Sequence, residues 1–129
     1  MSDATFNWAD SWTLLSTLGI SDQGSLSSAA ISNDGKIASE VSVTLTYGST
    51  ATEGAKVYII RDIDGTNYEQ EQDLPYGFSM PYSTSTTYRR AFTVRGDEAS
   101  SFKILVTNDT GDSITAVVRT RQIDSVNIA

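Results

Sequence analysis

The sequence contains no cysteine and no histidine. The first absence excludes disulfides, thiolate nucleophiles and cysteine metal sites. The second removes Ser-His-Asp triads, imidazole acid–base chemistry near neutral pH and the commonest transition-metal ligand. Basic residues are scarce: nine Lys and Arg stand against 16 Asp and Glu, a net charge of −7, which is the wrong sign for gripping a phosphate backbone. Long apolar runs are missing too, so no stretch of ~18 residues reads as a membrane-spanning helix. The opening Met-Ser-Asp-Ala-Thr-Phe-Asn-Trp lacks the basic and apolar regions of a secretion signal, and a soluble cytosolic product is expected. At 129 residues the length prior is one domain with a core of its own.

What the sequence does hold is β patterning. Val57, Tyr58, Ile59 and Ile60 are β-branched or aromatic and suit a pleated, half-buried surface. Asp64-Gly65 supplies a strong reversal signal. Beyond it, Tyr68, Gln70 and Gln72 alternate with Glu69 and Glu71, which predicts a returning strand with its charge on one side. The cleanest alternation lies earlier. Ile37, Val41, Val43, Leu45 and Tyr47 share one face, and Lys36, Glu40, Ser42, Thr44 and Thr46 the other. In the stretch 87–95, Tyr88, Arg90, Phe92 and Val94 fall together. Phe102, Ile104 and Val106, then Ile114, Ala116 and Val118, make two further core-facing sets. Asn33-Asp34-Gly35, Gly96-Asp97-Glu98 and Asn108-Asp109-Thr110-Gly111 are turns.

These signals predict an all-β fold: a single antiparallel β-sandwich of seven to eight strands, jelly-roll or immunoglobulin-like, over residues 24–129. Residues 1–23 are expected to be an N-terminal arm or a capping segment. Trp8, Trp12 and Leu15 have helical spacing, while Ser-Trp-Thr-Leu-Leu-Ser at 11–16 reads equally well as a strand.

The candidate chemistry is thin. Asp62, Asp64, Asn67 and Glu69 gather oxygen ligands on a Gly-containing loop, a weak calcium candidate. The spacing departs from the helix-flanked calcium loop, and the hairpin already explains Asp64-Gly65, so no metal and no cofactor are assigned. Asp62, Glu69, Glu71 and Asp73 could serve as paired carboxylates for glycoside hydrolysis, but a strand edge of alternating Glu and Gln reads as a solvated surface. No enzyme activity is expected. Tyr68, Tyr76, Phe78, Tyr82 and Tyr88 are either core and rim or a stacking platform for sugars. Arg89, Arg90, Arg95, Lys103, Arg119 and Arg121 come late, away from the acidic run at 62–73, so complementary patches between copies are a second possibility beside exposed cross-strand pairs. Phe6, Trp8, Trp12, Tyr76, Phe78, Tyr82, Arg89 and Arg90 are the interface candidates.

Val57-Tyr58-Ile59-Ile60-Arg61-Asp62-Ile63-Asp64-Gly65-Thr66-Asn67-Tyr68 with Pro75-Tyr76-Gly77-Phe78, then Thr87-Tyr88-Arg89-Arg90, 102–110 and Arg119-Thr120-Arg121-Gln122, together resemble small virion structural proteins of tailed bacteriophages. The resemblance covers roughly residues 35–122. It implies a non-enzymatic capsid decoration (cement) protein, with a tail or head–tail connector component as the close alternative. A homo-oligomer bound to the major capsid protein or other virion proteins is then expected, on the outer surface of capsid or tail, made in the host cytoplasm, without direct contact to nucleic acid or membrane. A carbohydrate-binding or adhesion module is the remaining alternative.

Overall fold

A computed structural model describes residues 4–8, 11–70 and 76–128, with side chains described over 11–70 and 76–123. Its described residues form ten strands: β1 (Ala4–Trp8), β2 (Thr13–Ile20), β3 (Ser25–Ser27), β4 (Ile31–Ser32), β5 (Ala38–Tyr47), β6 (Lys56–Arg61), β7 (Tyr76–Ser79), β8 (Thr87–Arg95), β9 (Ser101–Thr107) and β10 (Ile114–Ile128). They build two antiparallel sheets. The first runs β1-β10-β5-β8, with β2 also on β10; the second runs β3-β9-β6-β7, with β4 also on β9.

The count of ten exceeds the expected seven to eight because two edges are broken. β2 pairs with Ile114–Thr120 of β10 and β1 with Ile123–Ile128, so both occupy one position in the sheet. β3 and β4 share the flank of β9 in the same way. Between them Ser28 substitutes its hydroxyl for a ladder carbonyl: the Ile104 amide donates to Ser28 Oγ at 3.0 Å, while the Ser28 amide donates to Ile104 O at 2.8 Å. A side-chain acceptor of this kind competes with regular pairing.

The core lies between the sheets. Val41, Val43, Leu45, Ile20, Ile114, Ala116 and Val118 from the first meet Val57, Ile59, Phe102, Ile104 and Val106 from the second. β5 keeps the expected alternation from Val41 to Tyr47, with Glu40, Ser42, Thr44 and Thr46 toward the wet side. Ile37 departs from it and is 46% exposed. It precedes β5, where its amide donates to Ile123 O and its carbonyl accepts from Gly96, so the backbone serves the ladder while the side chain leaves the core. Residues 13–20 are strand, not helix: Ile20 is buried, and Leu15 and Leu18 pack against the core.

The Asp64-Gly65 reversal is present, with Gly65 at φ 87°, but it is wider than a two-residue hairpin. The Asp62↔Tyr68 bridge closes it, and Ile63 N–H donates to Asn67 O at 2.9 Å. The predicted continuous returning strand does not follow. Glu69 still bonds Arg61 through its backbone amide, yet the flank of β6 away from β9 is taken by β7, Lys56↔Ser79 to Ile59↔Tyr76. Gln72 and Glu71 of that prediction lie outside the described residues.

Two of the turn asparagines are clamps. Asn33, buried, donates through Nδ2 to Val94 O and Ala99 O, both at 3.1 Å, and its Oδ1 accepts from Ser39. Asn108, also buried, donates to Ile20 O at 3.0 Å and Asp112 O at 2.7 Å, and accepts from the Thr110 amide and hydroxyl. Each buried amide thereby satisfies backbone groups that the turns would otherwise leave without partners.

Candidate functional site

β7 and β8 are each an edge strand of their sheet, and the contact between Phe78 and Phe92 sets them on the same side of the sandwich. Alternation turns Tyr76 and Phe78 of β7 inward, paired with Ile59 and Val57, and turns Arg90, Phe92 and Val94 of β8 toward them. Phe78 and Phe92 meet edge to face at 5.5 Å between ring centroids, and the Arg90 guanidinium lies 4.1 Å from the Phe78 ring centroid. This resolves how a charge sits on an inward stripe: Arg90 stays exposed and caps an aromatic ring.

Past that contact the sheets part. A cleft of about 810 Å³ opens, lined by Ile59, Arg61, Tyr76, Phe92, Thr93, Val94, Asp97, Glu98 and Ala99. Ile59, Val94 and Ala99 are buried and form its apolar floor, whereas Tyr76 stands 69% exposed at the rim. The polar groups are held in place. Arg61 donates from Nε to Glu69 Oε1 at 2.9 Å and from Nη2 to Oε2 at 3.2 Å. This fork holds the Glu69 carboxyl below its usual range and lifts the guanidinium above its own. Across the cleft, Arg95 Nε bridges Asp97 at 3.1 Å and Glu98 at 2.9 Å.

The calcium candidate has a different use. Asp62 Oδ1 accepts from the amides of Gly65 (2.7 Å) and Asp64 (3.2 Å). Asp64 accepts at both oxygens, from the Asn67 side chain and from the Thr66 and Asn67 amides. Those donors, Asn67's amide group foremost, hold its carboxyl below the ordinary value. Both oxygens of Asp64 and of Glu69 are therefore already engaged within the turn, and no group of three or more acidic residues among the described residues is placed to hold a metal. Glu71 and Asp73, proposed partners for acid–base work, lie outside the described residues.

The aromatic candidates separate into three places. Tyr76 lines the cleft, and Phe78 packs on Phe92 where the cleft begins. Tyr82 and Tyr88 pack edge to face on Tyr47, at 6.4 and 6.0 Å. Burial raises the Tyr47 hydroxyl's pKa, and that hydroxyl accepts from the Ala55 amide at 3.1 Å. Tyr68 lies on the outer face of the second sheet, bonded to Ser101 Oγ at 2.8 Å with the Lys103 ammonium 4.5 Å from its ring centroid. The five rings do not form one platform. Trp12 carries the Arg121 guanidinium 4.9 Å from its ring centroid, and Arg121 pairs with Glu40 at 3.4 Å. Arg89 is exposed on the outer face of β8, opposite Thr44. Phe6 and Trp8 fall in β1, their side chains outside the described set.

Arg61, Phe92, Asp97 and Glu98 are cleft residues that the sequence did not single out. Asp97 and Glu98 read as an ordinary turn, and only the packing of the first sheet on the second brings them to the cleft with Tyr76.

A second feature is backbone alone. β10 pairs with β5 only as far as Ile123↔Ala38. From Ser125 to Ile128 it is paired with β1, Asn7↔Ser125 through Ala4↔Ile128, and with no other strand among the described residues. The first sheet thus continues as a two-stranded ribbon.

No family model and no curated protein matches the chain. Among solved structures, the chain is similar to the CBM22-1 xylan-binding domain of Paenibacillus barcinonensis Xyn10C, at 9% identity and TM-score 0.51 over 88% of this chain and 86% of that one. A CBM4 structure aligns at 13% identity and TM-score 0.47, covering 98% and 77% of the two chains. Empty particles of cowpea mosaic virus align at 10% identity and TM-score 0.46, covering 94% and 87%. At such identities the first likeness speaks for the sandwich fold, and the two weaker ones carry no argument.

Proposed function

We propose that this chain is a non-enzymatic structural protein of a virion, a capsid decoration (cement) protein of the tailed-bacteriophage kind that stabilises the outer shell through subunit–subunit contacts. The observation that carries the reading is the β1/β10 ribbon. Two strands alone are marginally stable in water, and among the described residues no strand covers this pair where β5 ends. Such an edge is satisfied by a strand or surface from a neighbour, here the major capsid protein or a second copy. The net charge of −7 favours the outside of a particle over contact with packaged nucleic acid. Many equivalent weak contacts would then add to firm attachment.

The test compares particles lacking the protein with particles to which it is restored. Wild-type chain should restore resistance to heat and chelator, and a variant with proline at both Thr5 and Asn7, which cannot sustain the ribbon ladder, should bind at least tenfold more weakly while retaining the urea midpoint of the sandwich. Equal restoration by that variant refutes the ribbon's role. A reconstruction with a few copies at one vertex, instead of many on the shell, would move the assignment to a tail or connector component.

A further inference from the structure

We infer that the cleft between β7 and β8 is a binding site for a neutral saccharide chain, a feature separate from attachment to a shell. The argument begins with what the walls offer. Tyr76 presents an exposed ring beside Phe92, and a ring face carries negative quadrupole density. That face complements the slightly positive C–H face of a pyranose. Around it stand groups suited to hydroxyls, Arg61 on the neighbouring strand of the same sheet and Asp97 and Glu98 after β8 of the other. Arg61 has five N–H donors, of which two are committed to Glu69. Asp97 and Glu98 each meet Arg95 through one oxygen, which leaves the other to accept from a sugar hydroxyl.

Other ligand classes fit less well. A phosphate or carboxylate ligand would face Asp97 and Glu98 in a protein of net charge −7. A purely apolar ligand would strip water from Arg61, Asp97 and Glu98 without replacing their hydrogen bonds. A compact metal ion would find only two carboxylates here, both already neutralised in part by the Arg95 guanidinium. An alternating pattern of C–H faces and hydroxyls satisfies the aromatic rim and the charged wall together. The volume, about 810 Å³, lies in the usual range for small-molecule sites of roughly 300–1,000 Å³.

The geometry also explains why Tyr76 is spared from the core. Phe78, two residues on, already closes the sheets against Phe92. Tyr76 lies beyond that contact and packs on no partner ring among the described residues, so its removal should not disturb folding.

The experiment is an amide chemical-shift titration of the full chain with three probes: β-1,4-linked glucose, β-1,4-linked xylose and α-1,4-linked glucose hexasaccharides. At least one should give saturable shifts centred on residues 92–99 and 59–61. Tyr76→Ala should weaken that binding at least tenfold and Tyr76→Phe no more than threefold. Glu98→Gln should weaken it measurably, and Tyr82→Ala, at the other ring cluster, should leave it unchanged. Absence of shifts at these amides with all three probes overturns the inference, as does a Tyr76→Ala variant that binds like wild type. Because the Thr5 and Asn7 prolines do not touch the cleft, loss of shell binding and loss of saccharide binding are separately readable.

Discussion

Replacing Asn108 by alanine should destabilise the fold by about 3–5 kcal/mol, a large share of the roughly 5–15 kcal/mol typical of a domain. The magnitude comes from counting what the amide does. It donates to Ile20 O and Asp112 O and accepts from the amide and hydroxyl of Thr110. Ile20 and Thr110 are buried, so water cannot reach the carbonyl and amide left behind, whereas Asp112 is half-exposed and its carbonyl can be rehydrated. Stranding a buried polar group costs about 1–3 kcal/mol, and each lost hydrogen bond about 1 kcal/mol net. Urea unfolding followed by tryptophan fluorescence measures the loss, and an unchanged slope would show that the compactness of both states is preserved. Asn108→Asp should be worse at neutral pH, because one oxygen of the introduced carboxylate faces two carbonyls. That variant should recover on acidification: burial raises the folded-state pKa, so stability falls as pH rises through it. A loss below about 1 kcal/mol for Asn108→Ala would refute the count of stranded groups.

Three further outcomes follow from single contacts. A Cβ on Gly54 would stand 1.9 Å from Met80 O, backbone that the Met80–Ala55 hydrogen bond holds in place. Gly54→Ala should therefore cost at least about 1–3 kcal/mol in the same unfolding assay, whereas Gly19→Ala, with open space around it, should stay within ~0.5 kcal/mol. Asp64, Glu69 and Asp112 are all held below their ordinary values by hydrogen bonds. Folded pKa values depressed in this way contribute stability above the unfolded value of about 4 and lose it as pH falls through the folded values. The urea midpoint should drop on acidification from pH ~6 to ~3, less steeply in Glu69→Gln; a flat or rising midpoint contradicts the assignment. Arg90→Ala should cost only ~0.5–1 kcal/mol, the worth of an exposed cation–π contact. An equal loss in Arg90→Lys would point to the packing of the Arg90 side chain as the cause.

The central strands were legible because their burial is one-sided. Val41 to Tyr47 and Phe102 to Val106 each alternate, and a sheet face reads that period directly. Turn positions at Gly35, Gly65 and Gly111 were legible for the same kind of reason: all three adopt positive φ, which glycine permits without strain. The Asp62–Asn67 knot was legible as a turn, although carboxylates that accept from their own turn have the same spacing as carboxylates that wait for a cation. Asn33 and Asn108 read as surface turn residues, since their burial depends on Val94, Ala99 and Ile20, which are remote in sequence. The cleft was not legible at all. Its walls come from 59–61, 76, 92–94 and 97–99, and no local pattern marks where two sheets fail to close.

The ribbon and the cleft belong to the same end of the first sheet, and this has a consequence for how they work together. Ile123, at the root of the ribbon, is opposite Ala38, and Ala38 is opposite Arg95, where the Asp97-Glu98 turn begins. The two features are thus two strands apart, about 10 Å at ordinary strand spacing. A backbone chain joins them directly, from Ile123 O to the Ile37 amide and from Ile37 O to the Gly96 amide. A neighbour seated on the ribbon's open side must lie over Ile37 and approach the turn that ends the cleft. Exposed Ile37, displaced from the core by that same backbone path, then gains a partner. Attachment to a shell should accordingly narrow the approach to Asp97 and Glu98 and weaken saccharide binding relative to the free protein. Titrating particle-bound and free protein with the same hexasaccharide measures the ratio. Equal affinities in the two states would show that the ribbon's neighbour stays clear of the Gly96 turn.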